Sequence, residues 1–268
     1  MNKLNADSIR CLLPQATLQS LAELSTFSEI GSTNSYLLQR PEPSPGMMSV
    51  AIAEQQTSGR GRRGRRWYSP SRSGLWMSLA YTFDSRPANM SALTLAIGAS
   101  LADELVILGV SETGLKWPND LMVGDRKLGG ILLESSSGGM TAVAGIGINT
   151  ALPQDANDHI EAGIEPVDLS SILTDPPSID HLAARIIERL QATLHQFDRD
   201  GFKSFVAGWS RFDTLAGLEI VVRSGDVEQT GTAQGITDDG ALILKGKHGI
   251  ERIVSGSVRI VDCREAVV

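Results

Sequence analysis

Apolar residues alternate with small or polar residues along several short stretches of the chain, a pattern typical of half-buried β-strands. The clearest alternation covers residues 75–83, where Leu75, Met77, Leu79, Tyr81 and Phe83 are separated mostly by small or polar side chains. Residues 49–54, 114–117, 130–134 and 140–148 are predicted to form further strands. These runs indicate one mixed sheet in the first two thirds of the chain.

A helical spacing of apolar residues predicts the helices of the same region. Residues 90–108 have apolar side chains at positions 90, 93, 97, 101 and 105, and residues 181–197 and 202–212 show a similar spacing. Ser32 and Thr33 suit a helix N-cap and predict a short helix that ends at residue 38. We also expect residues 1–28 to form a short helical lead-in.

The pattern changes after residue 213, where five short strand-like runs are separated by glycine-rich turns. These runs cover residues 218–223, 229–236, 241–245, 250–254 and 258–261. Short strands with tight turns close into a small barrel, because closure removes exposed sheet edges. The sequence therefore predicts an α+β protein in which a mixed domain (1–214) precedes a small β-barrel (215–268).

The composition is that of an ordinary globular protein: 268 residues, 41% of them hydrophobic and 21% charged. We expect a cytoplasmic chain that does not insert in a membrane, because signal-peptide and long apolar patterns are missing from the sequence. Cys11 and Cys263 are too few for a disulfide framework or a structural zinc site. The four histidines are scattered, and no protein-held metal site is predicted.

The positive charge is concentrated in one loop. The formal net charge is −7, yet five of the 24 basic residues lie within residues 60–66. Without them, 19 basic residues face 31 acidic ones, a balance of −12. A broadly acidic surface disfavours duplex DNA, whereas one compact basic loop suits a small, multiply charged anion.

Three interpretations of this arginine loop (residues 59–67) remain open. It could be a solvated charge run, an RNA-binding arginine-glycine segment, or a loop that folds over a polyphosphate. Its glycine spacing resembles a dinucleotide fingerprint, but the following Trp67-Tyr68-Ser69-Pro70 does not open a helix. The polyphosphate interpretation is favoured, and the mutual repulsion of the arginines predicts a mobile free loop.

Two further motifs contain residues suited to binding or catalysis. In Lys116-Trp117-Pro118-Asn119-Asp120, a lysine ends a strand just before a turn, where its ammonium can stabilise developing negative charge. The same residues could equally be an ordinary turn. In Gly145-Ile146-Gly147-Ile148-Asn149, the glycines allow a flat ring to approach the backbone, although they could simply relieve packing.

Together these motifs resemble those of biotin protein ligase, also called biotin–[acetyl-CoA-carboxylase] ligase. The matching segments are residues 54–67, 116–120, 127–132 and 145–149, in that order, preceded by Ser32-Thr33-Asn34. The resemblance covers roughly residues 28–265. It is closest to the monofunctional type, because residues 1–28 are too short for the winged helix-turn-helix of the bifunctional members.

The resemblance implies a class II synthetase-like catalytic domain followed by an SH3-like barrel, and an ATP-dependent enzyme. Biotin would be activated to biotinyl-5′-AMP and transferred to a lysine of a biotin carboxyl carrier domain. The residues implied to bind biotin are Ser32, Thr33, Asn34, Gln56, Gly59, Arg60, Gly61, Arg62, Lys116, Gly129 and Gly130. Those implied to bind ATP or the adenylate are Arg60, Arg62, Arg63, Arg65, Trp67, Lys116 and Asn149. Lys116 and Arg62 would be catalytic, and Mg²⁺ would accompany ATP on its phosphate oxygens.

Two other functions fit part of this pattern. A lipoate or octanoate ligase uses the same adenylation chemistry on a related fold, and an RNA-binding module could use the arginine loop without catalysis. The resemblance implies a carboxyl carrier protein as partner and no specific DNA, and it leaves open whether the protein is a homodimer.

Overall fold

The computed structural model describes residues 3–160, 164–247 and 249–261. Cys263, His248 and the end of the predicted second domain lie outside these residues. The helices are α1 (Ala6–Leu12), α2 (Gln15–Gln19), α3 (Thr33–Leu38), α4 (Leu93–Ile107), α5 (Ala156–His159), α6 (Leu169–Ile172), α7 (Ile179–Asp200) and α8 (Val206–Arg211), with 3₁₀ turns at Arg62–Gly64, Met90–Ala92 and Phe202–Phe205.

Twelve strands form two separate sheets in the described part of the chain. The first sheet contains β1 (Leu21–Phe27), β2 (Met48–Ala53), β3 (Gly74–Thr82), β4 (Thr113–Lys116), β5 (Asp120–Val123), β6 (Arg126–Ser135) and β7 (Thr141–Asn149). The second contains β8 (Glu219–Ser224), β9 (Val227–Ile236), β10 (Leu242–Gly246), β11 (Gly249–Ile253) and β12 (Ser257–Ile260).

The first sheet has the strand order β1-β2-β3-β7-β6-β5-β4. β1 runs parallel to β2, and the remaining pairs are antiparallel. Successive side chains of a strand point to opposite faces of the sheet, so the strand register gives one apolar face and one more polar face. The predicted alternation in β3 is confirmed, since Leu75, Met77, Leu79 and Tyr81 all belong to the main hydrophobic core.

The apolar face packs against α4 and α7. α4 is buried along most of its length, and Ile146 and Ile148 of β7 meet the same core. The segment Met90–Ile107 is long and apolar enough to cross a membrane by length and composition, but 67% of it is buried within the protein. It is therefore the central helix of the core, as its spacing predicts, whereas the expectation that no apolar stretch approaches membrane-spanning length is wrong.

The opposite face carries mostly small and polar side chains, together with the large ring of Trp76. Trp76, Ser78 and Ala80 of β3 lie opposite Gly147, Gly145 and Val143 of β7. Helix α3 covers part of this face, with Leu37 packed near Ala80 and Val143. The Ser32 hydroxyl accepts a hydrogen bond from the Ser35 amide and caps α3, which confirms the predicted cap. We call this side of the sheet the open face.

The expected helical lead-in is wrong beyond residue 19. α1 and α2 form as predicted, but Leu21–Phe27 is the edge strand β1, paired in parallel with β2. The three-residue spacing of Leu18, Leu21 and Leu24 suits a helix, whereas the pairing with β2 is non-local and outweighs it. The sequence prediction also missed β5, a four-residue strand in a tight hairpin with β4 and β6.

The second sheet confirms the five strands predicted after residue 213. They pair antiparallel in the order β11-β10-β9-β8-β12, as expected for a small SH3-like barrel. Trp117 is buried where the two sheets meet, and its indole nitrogen donates to the Gly240 carbonyl at 3.2 Å. Gly240 has φ +84°, and a Cβ there would lie 2.8 Å from Leu95 of α4. This turn therefore packs the second sheet against the main core.

Candidate active site

Glycines on the open face make room for two polar or aromatic groups. A Cβ at Gly145 would lie 2.5 Å from the Asn34 Oδ1 atom, and one at Gly147 would lie 2.7 Å from the Trp67 indole. Both side chains therefore lie directly on the β7 backbone. The flat ring expected beside these glycines is thus at least in part the protein's own indole.

A buried hydrogen-bond network connects α3 to the sheet. The Thr33 amide donates to Gln56 Oε1 at 2.9 Å, and the Gln56 amide group donates to Ser69 Oγ at 3.1 Å. The Thr33 hydroxyl lies 2.6 Å from Ser78 Oγ, which donates to Asn34 Oδ1 at 2.5 Å. These groups form a compact, buried polar cluster with both donors and acceptors, which we call the polar pocket.

The arginine loop is a closed turn beside this pocket. Gly61 donates to the Arg65 carbonyl at 2.8 Å, and Trp67 donates to the Gly59 carbonyl at 2.9 Å. Arg60 bridges to Arg66, and a 3₁₀ turn covers Arg62–Gly64. A Cβ at Gly59 would lie 2.4 Å from the Trp67 carbonyl oxygen, so the close approach requires glycine there.

Three loop arginines contact separate parts of the fold. Arg60 pairs with Glu134 of β6 at 2.5 Å, and Arg62 donates to Asn119 Oδ1 at 3.0 Å. Arg63 donates to Ser257 Oγ and to the Arg223 carbonyl of the second sheet, at 3.1 and 3.2 Å. Arg65 contributes its backbone amide to the turn, donating to the Arg62 carbonyl at 3.2 Å. The loop thereby connects the polar pocket to the second sheet.

Lys116 ends β4 directly opposite Asp120 of β5. Its side chain is half-buried, and burial lowers the pKa of Lys116, although Asp120 opposes this shift and Lys127 adds to it. Asp120 also pairs with Lys127 at 2.6 Å. Burial likewise lowers the pKa of Arg62. Two cationic groups are therefore kept partly out of water, where each interacts more strongly with an anion.

Trp67 lies between the arginine loop and β6. A Cβ at Gly130 would be 3.3 Å from its ring, and Lys127 Nζ lies 5.3 Å from the ring centroid. The Trp67 indole nitrogen is buried without a hydrogen-bond partner among the described residues. A buried donor without a partner is rare, which makes this indole nitrogen a candidate contact for a ligand acceptor.

Gly129 and Asn149 support the backbone in the described structure. A Cβ at Gly129 would lie 2.4 Å from the Gly147 carbonyl oxygen, so the glycine permits close strand pairing. The Asn149 amide group donates to the Val167 carbonyl at 3.1 Å. Its Oδ1 atom is the part left for the predicted adenylate contact, which stays a prediction.

The structure brings most of the predicted residues together above β6. Thr33, Asn34, Gln56 and Arg60 are connected through the polar pocket and Glu134, while Arg62 meets Asn119. Ser78, Asn119, Lys127 and Glu134 also belong to this candidate site and were not predicted from the sequence. Ser78 had a signal, because it is a polar residue inside an apolar strand. Among the described residues, no three His, Cys, Asp or Glu side chains are grouped to hold a metal ion.

The sequence matches two family descriptions. Residues 27–150 match the biotin/lipoate A/B protein ligase family, and residues 217–260 match the biotin protein ligase C-terminal domain. The bifunctional ligase/repressor BirA of Escherichia coli (strain K12) is 35% identical over 235 residues, which cover 86% of this chain and 72% of BirA. The chain belongs to the biotin protein ligase family.

Other members of the biotin protein ligase family support the same conclusion. The biotin–[acetyl-CoA-carboxylase] ligase of Paracoccus denitrificans is 35% identical over 241 residues, covering 85% of this chain and 96% of the relative. The structure of the Aquifex aeolicus biotin protein ligase in complex with biotin and ATP superposes with a TM-score of 0.77 at 26% identity, covering 90% of this chain and 100% of that one. The resemblance and the fold class predicted from the sequence are confirmed.

Proposed function

We propose that this ligase activates biotin with ATP and transfers the biotinyl group to a lysine of a biotin carboxyl carrier protein. A carboxylate oxygen of biotin attacks the α-phosphorus, the bond to the β-phosphate oxygen breaks, and pyrophosphate leaves. The carrier lysine then attacks the carbonyl carbon of biotinyl-5′-AMP, AMP leaves, and the amine releases a proton. The observation that carries the proposal is a neutral polar pocket directly beside a cationic loop.

The polar pocket fits the ureido ring of biotin. A ureido group has one strong acceptor and two donors, and Thr33, Asn34 and Gln56 offer both kinds of partner at the closed end of the site. Ser32 is the N-cap residue of α3, and Gly129 and Gly130 belong to β6 of the sheet. The dithiolane ring of lipoate has no hydrogen-bond donor and only weak sulfur acceptors, so it would gain little from these polar groups. This difference favours biotin over lipoate or octanoate.

The cationic residues fit the reacting anions. Biotin's carboxylate and the triphosphate repel each other, so the reaction needs charge neutralisation and alignment. We assign this role to Lys116 and Arg62, with Arg60, Gly59 and Gly61 near the carboxylate. Arg63 and Arg65 are assigned to the phosphates, and Trp67 and Asn149 to the adenylate. ATP enters as its Mg²⁺ complex, held by phosphate oxygens, since the described residues provide no acidic cluster.

The wider arrangement is also part of the proposal. We place the domain boundary at residues 214 and 215, between the two sheets, and the second sheet contacts the arginine loop through Arg63. We infer a cytoplasmic enzyme without a specific DNA site, given the −12 balance outside the loop. An RNA-binding role is disfavoured because the arginine-glycine segment is short and belongs to a protein of net charge −7.

Biotin-dependent exchange of labelled pyrophosphate into ATP tests the proposed function. We expect exchange with biotin and MgATP, and much weaker exchange when lipoate or octanoate replaces biotin. Exchange driven equally by lipoate would move the assignment to the lipoate ligases. Folded protein that shows no exchange with any of the three acids, but binds an RNA oligonucleotide with steep salt dependence, would support the RNA-binding alternative.

A further inference from the structure

Glu134 joins the two halves of the site. Its Oε2 atom accepts a hydrogen bond from Asn34 Nδ2 at 2.9 Å and from Arg60 at 2.5 Å. Asn34 belongs to the polar pocket and Arg60 to the arginine loop. In the described structure this one carboxylate oxygen therefore connects both elements.

The carboxylate also fixes the orientation of the Asn34 amide. A carboxylate only accepts hydrogen bonds, so the NH₂ group of Asn34 must face Glu134. The Asn34 carbonyl oxygen then faces Ser78, in the slot that Gly145 leaves open. The Leu132 carbonyl accepts from the same NH₂ group at 3.4 Å, so the Glu134 carboxylate supplies the shorter of the two contacts that favour this orientation.

The orientation of the Asn34 amide also sets which of the Ser78 and Thr33 hydroxyls donates and which accepts. Ser78 has one hydroxyl proton and uses it on Asn34, so the 2.6 Å contact with Thr33 requires Thr33 to donate. Thr33 Oγ1 also lies 3.1 Å from Gln56 Oε1, but its single proton is taken by the shorter contact. Thr33, Ser78 and Asn34 are buried, with 2%, 0% and 3% exposure, so water does not scramble this order. In this order Thr33 Oγ1 can act toward a ligand only as an acceptor, because its proton is used on Ser78.

We propose that Glu134 is a positioning residue for biotin: through Asn34, Ser78 and Thr33 it sets the donor and acceptor order of the ureido pocket, and through Arg60 it holds the arginine loop against that pocket. The inference rests on the proposed function, because it takes biotin as the ligand of this pocket. Glu134 acts through its neighbours and does not take part in the chemical step. Because Arg62 and Arg63 keep their own contacts with Asn119 and the second sheet, the loss of Glu134 should weaken biotin binding much more than ATP binding.

The test compares Glu134→Gln with a matched control, Glu23→Gln. Glu23 accepts from the Ser25 and Tyr36 hydroxyls and pairs with Arg40 at 3.6 Å, but it lies on β1, away from the pocket. We expect Glu134→Gln to raise the KM and Kd for biotin about 10- to 100-fold, the range for losing a charged hydrogen bond. The KM for ATP should change less than about threefold, and Glu23→Gln should leave both values within about twofold of wild type.

A second variant at Glu134 covers the case in which the first fails to fold, and a double-mutant cycle measures whether Glu134 acts through Asn34. Glu134→Asp retains the charge and should recover part of the biotin affinity, and it replaces Glu134→Gln if the latter fails to fold. Asn34→Ala combined with Glu134→Gln should weaken biotin binding less than the sum of the two single effects. Unchanged biotin KM in both Glu134 variants, or equal increases for biotin and ATP, would overturn the inference while wild-type exchange still supports the proposed function. Wild-type protein without biotin-dependent exchange would instead remove the proposed function.

Discussion

Arg62 donates a hydrogen bond to the side-chain oxygen of Asn119 across 3.0 Å. Asn119 is itself fixed, because its side-chain amide donates to the Ile131 carbonyl at 3.0 Å and its backbone oxygen accepts from Ile131 at 2.9 Å. The arginine loop is thus held in register with the turn that follows Lys116. Two cationic groups far apart in the sequence are aligned through one asparagine.

Asn119→Ala should slow the formation of biotinyl-AMP, because Arg62 loses the acceptor that aims it. We expect a decrease of about tenfold in the single-turnover rate, in line with the loss of one positioning hydrogen bond to a charged group. Rapid-quench measurement with labelled ATP checks this value. Asn119→Asp keeps the acceptor and serves as the comparison. An adenylation rate equal to that of wild type in Asn119→Ala would show that Arg62 is aimed by other contacts.

Lys116→Ala should slow adenylation by about 10²- to 10³-fold, the range for removing one preorganised electrostatic group. Lys116→Arg should recover part of the rate, since a planar guanidinium cannot replace a compact ammonium. Single-turnover formation of biotinyl-AMP measures both rates, and thermal melts monitor folding. If Lys116 were simply the half-exposed end of a strand, both variants would adenylate biotin at nearly the normal rate.

The pH profile of adenylation should have an alkaline limb set by Lys116. Burial lowers the pKa of this lysine from its ordinary value of 10.5, so the catalytic ammonium loses its proton at a lower pH than an exposed lysine would. The rate should fall as the pH rises through that lowered pKa. In Lys116→Arg the limb should move to higher pH, because guanidinium keeps its proton. An identical alkaline limb in both proteins would assign it to another group.

Asp213 should make stability depend on pH in the acidic range. Burial raises the pKa of Asp213 above 3.8, and its Oδ2 atom is buried without a hydrogen-bond partner among the described residues. Folding thus disfavours the charged form, and this contribution lowers stability as the pH rises from the unfolded pKa through the higher folded one. The Tm difference between Asp213→Asn and wild type should shift in favour of the variant between pH 4 and pH 7.5. A difference that is constant across this range would contradict the expectation.

The arginine loop should become more protected when ligands bind. Its ordering depends on glycine-rich backbone and on polar contacts of arginines, which offset little of the entropy cost without an anion. Hydrogen exchange of residues 59–67 should slow by about tenfold or more in the presence of biotin and MgATP. The β3 amides provide an internal control, since they should not change. Equal loop protection with and without ligand would identify a preformed scaffold.

The sequence predicts the parts of this protein whose signals are local. The alternation in β3, the spacing in α4 and the Ser32 cap all depend on neighbours within a few residues, and all are found. β1 was missed because its partner β2 lies more than twenty residues away, and only that pairing makes residues 21–27 a strand. The contact of Glu134 with Asn34 spans one hundred residues, so no local pattern reveals it.

The sheet keeps stability and chemistry on opposite sides of the same strands. In β3, Met77 and Leu79 belong to the core, while Ser78 between them serves the polar pocket. Substitutions confined to Ser78, Gly145 and their neighbours on the open face could therefore change which carboxylic acid the pocket binds, while the hydrophobic core stays the same. An inserted residue in β3 has the reverse effect, since it exchanges the two faces and loses fold and catalysis together. The protein can thus evolve by substitution where it cannot evolve by insertion.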